Sequence, residues 1–231
     1  MNYSDYIIAN YWFPIIGLII TLIAQIYVNS SYNKYKNRPL KKRMTGAEVA
    51  RQILDKNGLE KIRVIETNGT LTDHYDPKKK TVNLSYDIYH GDTIASASVA
   101  AHECGHAIQH KDGYIFLKIR SVLVPLVNFS TKIGYLVIVI GIIFSFTKLA
   151  IIGLILLLAM LLFQLITLPV EFNASKRAKK QLQKLNIIDN QELSQSKTML
   201  NAAALTYVAS LVTTLLQILR LAFIAFGRRD D

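Results

Sequence analysis

A single run, His102-Glu103-Cys104-Gly105-His106, carries the residue types from which a hydrolytic metal site is built. In a helix the two histidines stand four positions apart, so their imidazoles leave one face a turn from each other and can hold one ion. Zinc held by neutral imidazoles with one position left open lowers the pKa of a bound water to roughly 7, so hydroxide is available near neutral pH. The carboxylate of Glu103 is placed to take that proton as a general base, not to act as a ligand. The run supplies half of a catalytic zinc site.

Its surroundings favour burial. The stretch Ile94-Ala95-Ser96-Ala97-Ser98-Val99-Ala100-Ala101 is rich in small residues that let neighbouring elements approach, where a solvated face would carry Lys, Glu and Gln. Asp92 reads as the N-cap of this helix and Gly113 as its stop. Cys104, the single cysteine, excludes an intrachain disulfide and suits a reducing compartment. Two helical positions from His102 amount to about 200° of rotation, so Cys104 points off the metal face. It reads as packing and not as the nucleophile of a cysteine-histidine protease.

A hydrolytic site needs a third protein ligand, and three residues are candidates. His110 continues the ladder of histidines but sits a further full turn along, out of reach of an ion between His102 and His106. Asp112 would need a glycine-assisted turn to return to the ion, and Gln109 stands where that glycine is expected. Glu171 is preferred: it follows Pro169-Val170 at the end of an apolar run and opens a helix that continues out of the membrane. The plainer reading of Glu171 is an interface carboxylate paired with Lys or Arg. His74 and His90 fall in loop sequence as polar or substrate-side residues. With Tyr207 they are the candidates for stabilising an oxyanion, Tyr207 reading equally well as a packing aromatic of the last helix.

The elements that must position these residues are mostly membrane helices. The chain has 231 residues, is 51% hydrophobic and carries a formal charge of +11, with its apolar residues gathered in blocks. Trp12–Asn29 is the first, with Gln25 its only strongly polar interior residue and no signal-peptide cleavage pattern, so it reads as a retained anchor. Val122–Phe146, with Asn128 and Lys132 near its start, and Leu149–Val170 are expected to form a hairpin that turns at Thr147-Lys148. Ala202–Phe226, interrupted by Gln217 and Arg220, spans, lies at the interface or packs within the bundle. A large soluble core does not account for the uniform apolarity of Leu149–Val170.

Lysine and arginine set the orientation. The basic stretch Asn33–Arg43 follows the first span, and no basic side chain precedes it. Lys111, Lys118 and Arg120 stand before the second span, and Lys176, Arg177, Lys179 and Lys180 after the third, all agreeing on a cytoplasmic face. A fourth full span would place Arg228 and Arg229 outside, with Asp230 and Asp231 beside them. The positive charge therefore reports topology and contact with the lipid bilayer; no motif supports nucleic acid as a partner.

Between the first two spans lies a small soluble insert. Thr45 and Glu48 form a capping box for a helix through about Asn57, with Gly58 after it. Arg63-Val64-Ile65-Glu66 and Thr81-Val82-Asn83-Leu84 read as strands around turns at Asn68-Gly69 and Asp76-Pro77. An edge strand there would bind an extended peptide by β-addition. The expected fold is mostly α: a polytopic membrane helix bundle with a small cytoplasmic, zincin-like α+β insert carrying the His-Glu-x-x-His helix. Its segments are an anchor (1–30), the α+β segment (31–120), a transmembrane hairpin (121–170), a cytoplasmic helix with the third ligand (171–200) and a C-terminal transmembrane or interfacial helix (201–231).

The runs Leu71-Thr72-Asp73-His74-Tyr75-Asp76-Pro77, Tyr89-His90-Gly91, Ala101-His102-Glu103 through Gln109-His110, Glu171-Phe172-Asn173-Ala174-Ser175 and Leu200-Asn201-Ala202-Ala203-Ala204-Leu205-Thr206-Tyr207 resemble the YugP-like bacterial neutral zinc metallopeptidases over nearly the whole chain. In plan the chain is also similar to the gluzincin membrane peptidases related to HtpX and the prenyl-protein protease. The resemblance implies Zn2+ as cofactor, His102, His106 and Glu171 as its ligands, Glu103 as base, and a peptide or membrane-protein substrate cleaved at the plasma membrane. One position departs from the gluzincin pattern. Ser175 stands where an aspartate usually orients a histidine ligand, and a hydroxyl holds an imidazole more weakly than a carboxylate.

Two other classes fit the same residues. A membrane interaction protein with a structural or idle zinc site would show a fourth ligand such as His110 or Asp112. A zinc hydrolase acting on a lipid-linked substrate would show an apolar groove open to the bilayer, whereas a strand beside the zinc helix speaks for peptide.

Overall fold

A computed structural model describes residues 11–143 and 147–226. In chain order its elements are α1 (Phe13–Tyr35), α2 (Gly46–Lys56), β1 (Arg63–Thr67), β2 (His74–Asp76), β3 (Thr81–Ser85), α3 (Tyr86–His90), α4 (Ile94–Lys111), α5 (Ile115–Ile143), α6 (Thr147–Lys184) and α7 (Asn190–Phe226). The protein is mostly helical with one small sheet, a helical membrane protein carrying a small α+β part. Arg228, Arg229, Asp230, Asp231 and Phe146 lie outside the described residues.

Three helices among the described residues are long and apolar enough to cross a membrane, in Phe13–Tyr35, Ile151–Lys184 and Asn190–Phe223. Their apolar side chains face outward: Leu18, Ile23 and Ile26 are 58%, 62% and 67% exposed. A water-soluble protein would bury such a stripe, so hydrocarbon is the medium that fits it. Thr147 and Lys148, expected in a turn, are instead the first residues of α6, and α5, which carries the described part of the second apolar block, starts upstream of it at Ile115.

The chain divides into two compact units. One gathers α1 to Gln25, α5 from Ile119, α6 to Leu168 and α7 from Thr206. Within it small residues bring α1 and α7 together. Thr213 Oγ1 reaches the carbonyl of Gly17 at 3.3 Å and Thr21 Oγ1 at 3.2 Å, and a Cβ on Gly17 would meet the Thr213 methyl at 3.2 Å. Close backbone approach and threonine hydrogen bonds are how helices associate in lipid, where the hydrophobic effect gives no drive.

The other unit runs from Ile26 to Lys118 and from Pro169 to Leu205. The capping box at Thr45 and Glu48 forms in both directions and starts α2; the chain leaves it through Gly58 at φ +66°. The sheet has the order β1-β3-β2, with β3 parallel to β1 and antiparallel to β2, so β2 is an edge strand. His74, expected in a loop, opens β2, and His90, also expected in a loop, closes α3. β2 is three residues long, too short to show an alternating pattern in the sequence. Leu40, Val49, Ile53, Leu54, Val82 and Ile88 form the core.

Thr93, not Asp92, caps α4: its hydroxyl accepts from the amide of Ser96 at 3.1 Å. Asp92 instead pairs with Arg43, while its carbonyl accepts from the Leu40 amide. The small residues of α4 are buried almost all round, Ser98 by a hydrogen bond to Ser196. Gly105 does most for the site, because a Cβ there would stand 2.6 Å from the carbonyl oxygen of Ala174. Only a hydrogen at that position lets α4 lie against the start of the Glu171 helix segment.

Candidate metal centre

His102 and His106 project from α4 one turn apart, and Glu171 meets them from α6. Glu171 Oε2 lies 3.2 Å from His102 Nε2 and 3.6 Å from His106 Nε2. Among the described residues these three form the one cluster of histidine, cysteine and carboxylate side chains able to hold an ion, with one ligand atom from each inside 4.8 Å. The carboxylate is buried at 3% exposure. Two donors about 2.0–2.1 Å from one tetrahedral zinc stand roughly 3.3 Å apart, between the two separations observed.

Hydrogen bonding behind the ring of His106 fixes what that ring offers. The amide nitrogen of Gln109 donates to the Val170 carbonyl at 2.8 Å and to Asn173 Oδ1 at 3.0 Å. Arg177, which can only donate, also gives its Nε–H to Asn173 Oδ1, so that atom is an acceptor. The orientation of the Gln109 amide is therefore determined, and its Oε1 faces His106 Nδ1 at 3.0 Å. An amide oxygen only accepts, so Nδ1 carries a proton and Nε2 is the ring atom left to face the Glu171 carboxylate. That is the arrangement in which a histidine ligand held from behind offers Nε2 to an ion shared with a carboxylate. The residues present fit a zinc ion.

His102 is held by a weaker device. Its Nδ1 lies 3.2 Å from Ser175 Oγ, and a hydroxyl accepts or donates as required, so it steadies the ring without dictating the tautomer. Gln109, at the position where a glycine-assisted turn would need its glycine, lies fully buried and holds His106 instead. Gln109→Leu is expected to weaken zinc binding by about 10–100-fold in a competitive chelator titration, and Ser175→Ala by less. Wild-type affinity in the leucine variant would show that the ring is oriented by something else.

Glu103 is buried beside this cluster. Burial pushes its carboxyl up to about 7, and the charges of Glu171 and Asp73 add to the rise, while His102 and a hydrogen bond from the Tyr75 backbone N–H oppose it. Tyr75 belongs to β2, so the edge strand touches the carboxylate next to the metal cluster. Asp73, just before β2, accepts from the amide of Ser85 at 2.7 Å, which ties the start of the strand to the end of β3.

The other candidates in this unit have partners of their own. His110 meets the Tyr75 hydroxyl at 2.8 Å, and Asp112, the C-cap of α4, pairs with Arg177. His90 Nε2 meets Glu66 at 2.8 Å, its ring packed by Tyr86 and Tyr89. His74 is exposed, with Nδ1 2.8 Å from the Thr72 carbonyl. Tyr207 belongs to the other unit, part of α7, and is 36% exposed. Cys104 is buried with its Sγ 3.6 Å from the Ala50 carbonyl, and burial pushes its thiol well up, which keeps it an inert packing residue.

The model of a family described as "Putative neutral zinc metallopeptidase" matches residues 10–226 of the chain. A protein of Bacillus subtilis (strain 168) described as "Putative membrane protease YugP" is 43% identical over 217 residues, which cover 94% of this chain and 96% of that protein. No solved structure matches.

Proposed function

The chain belongs to the neutral zinc metallopeptidase family, and from that premise we propose that it is an integral-membrane zinc endopeptidase whose ligands are His102, His106 and Glu171 and whose general base is Glu103. The observation that carries this reading is the convergence of two imidazoles and one buried carboxylate from α4 and α6, with a second carboxylate held beside them. Zinc bound there supplies a Lewis acid that acidifies water and polarises a carbonyl.

The chain's own residues do the rest. Glu103 takes a proton from the attacking water at its carboxylate and returns it to the nitrogen of the leaving amine. Burial of Glu103 raises its carboxyl in the metal-free chain, so it holds a proton more readily than an exposed glutamate would. The Tyr75 amide fixes the direction of that carboxylate. Edge strand β2 lies beside the metal cluster, which supports a peptide substrate over a lipid-linked one. With His110 held by Tyr75 and Asp112 by Arg177, neither is turned into a fourth ligand, which supports an open catalytic site over a closed structural one.

We place the site on the cytoplasmic side of a multi-pass plasma-membrane protein, on the strength of the basic residues that follow α1, precede the second apolar block and follow Val170. The test is cleavage of a denatured membrane protein by the purified chain in detergent. Hydrolysis is expected to stop when a chelator strips the metal and to return when zinc is added back. Cleavage that survives full removal of metal would refute the proposal.

A further inference from the structure

A cavity of about 440 Å³ lies between the C-terminal end of α4 and the last turns of α6. Five cationic side chains line it, Lys111 from α4 and Lys176, Arg177, Lys180 and Lys184 from α6, with Asp112 the only carboxylate. Asp112 is already paired with Arg177, whose Nε is fixed by Asn173 at 2.8 Å. Lys111 is turned toward the Asn57 carbonyl. Lys176, Lys180 and Lys184 have no carboxylate partner among the described residues.

The rule that keeps positive charge on one side of a membrane explains how many lysines follow Val170 but not where they point. It is satisfied wherever a basic residue projects. Lys179 stands in the same segment, does not line the cavity, and has Lys197 as its charged neighbour. The other four basic residues of the segment share one wall, three of them spaced four apart so that their ammonium groups recur about every 6 Å along the helix. A fifth cation comes to the same space from a different helix. The four lysines are exposed, so water tempers their mutual repulsion, but their shared concavity presents a dense positive field that an anion entering it would meet from several sides.

We infer that this cavity is an anion site for phosphate groups, taking either a free di- or oligophosphate or the phosphates of anionic lipid headgroups. Repeated ammonium groups along one wall match a ligand that carries more than one phosphate, and Arg177 adds a planar donor at one end. The site is separate from the metal cluster and uses none of its ligands.

The experiment takes the full chain in a detergent with uncharged headgroups and titrates it calorimetrically with sodium pyrophosphate at constant ionic strength. In parallel its melting temperature is compared in nanodiscs of neutral lipid and of lipid containing phosphatidylglycerol. Lys176→Gln/Lys180→Gln is the test variant, with unchanged zinc content as the control for its fold. Saturable pyrophosphate binding that the variant weakens by about tenfold or more identifies a free phosphate as the source. Stabilisation that appears only in anionic nanodiscs and is lost in the variant identifies the headgroup. Absence of both effects in the wild type, or effects that the double variant leaves unchanged, would overturn the inference.

Discussion

Glu103→Gln is expected to keep zinc and to lower hydrolysis by roughly 10²–10⁴-fold, the range a positioned general base supplies. The same substitution is expected to stabilise the metal-free protein, and only at higher pH. Glu103 titrates at about 7 in the folded chain and at 4.5 when unperturbed, so folding raises its pKa. Below about 4.5 both states hold the proton and the group adds nothing. Between 4.5 and 7 the unfolded chain gives up the proton and the folded chain retains it, so stability falls with rising pH, and above about 7 the whole penalty is present. It is on the order of 3 kcal/mol. Glutamine carries no such penalty, and its carbonyl still accepts the Tyr75 amide. Chelator-treated Glu103→Gln should therefore melt at the wild-type temperature near pH 4.5 and clearly above it near pH 8. An equal difference at both pH values would mean that ionisation of this buried carboxyl is not what costs stability.

The candidate site residues were legible because their spacing is local or their sequence neighbourhood is unusual. Two histidines four apart, a carboxylate next to the first and a run of alanines and serines mark a buried helix with the spacing of a metal site, without any knowledge of what packs on it. Glu171 could be singled out because it breaks an apolar run at its end. The supporting groups were hidden for a different reason. Gln109 matters only because Val170 and Asn173 take its amide hydrogens, and those partners are more than sixty positions away. Tyr75 matters through its backbone N–H, which no side-chain pattern encodes. The shift of the α4 cap from Asp92 to Thr93 has the same origin: both residue types cap helices, and the backbone bonds of Leu40 to the Asp92 carbonyl and of Ile94 to the Arg38 carbonyl set where the helix starts.

Glu171→Gln is expected to lose zinc affinity by well over 100-fold, while Asp112→Asn keeps it. The first expectation follows from what the carboxylate does between the two rings. It brings a full negative charge to 3.2 Å and 3.6 Å from two imidazole nitrogens, in a site where it is 3% exposed. A buried carboxylate is costly unless cations answer it, and a divalent ion is the strongest answer available. An amide in its place coordinates as a neutral oxygen and leaves the two imidazoles to hold the ion with no anionic partner, so removal of a direct ligand should exceed the 10–100-fold loss typical of groups that only orient ligands. Asp112, by contrast, already has Arg177 as its partner, and its loss should leave metal content intact. Metal analysis of both purified variants beside the wild type makes the comparison direct. Full zinc in Glu171→Gln together with lost zinc in Asp112→Asn would move the third ligand back to the end of α4, where the turn after His106 would then have to open to deliver it. That opening would have to break the Asp112–Arg177 pair and the Gln109 bonds to Val170 and Asn173, so the same result would also predict a chelator-treated protein whose α4 end differs from its zinc-loaded form.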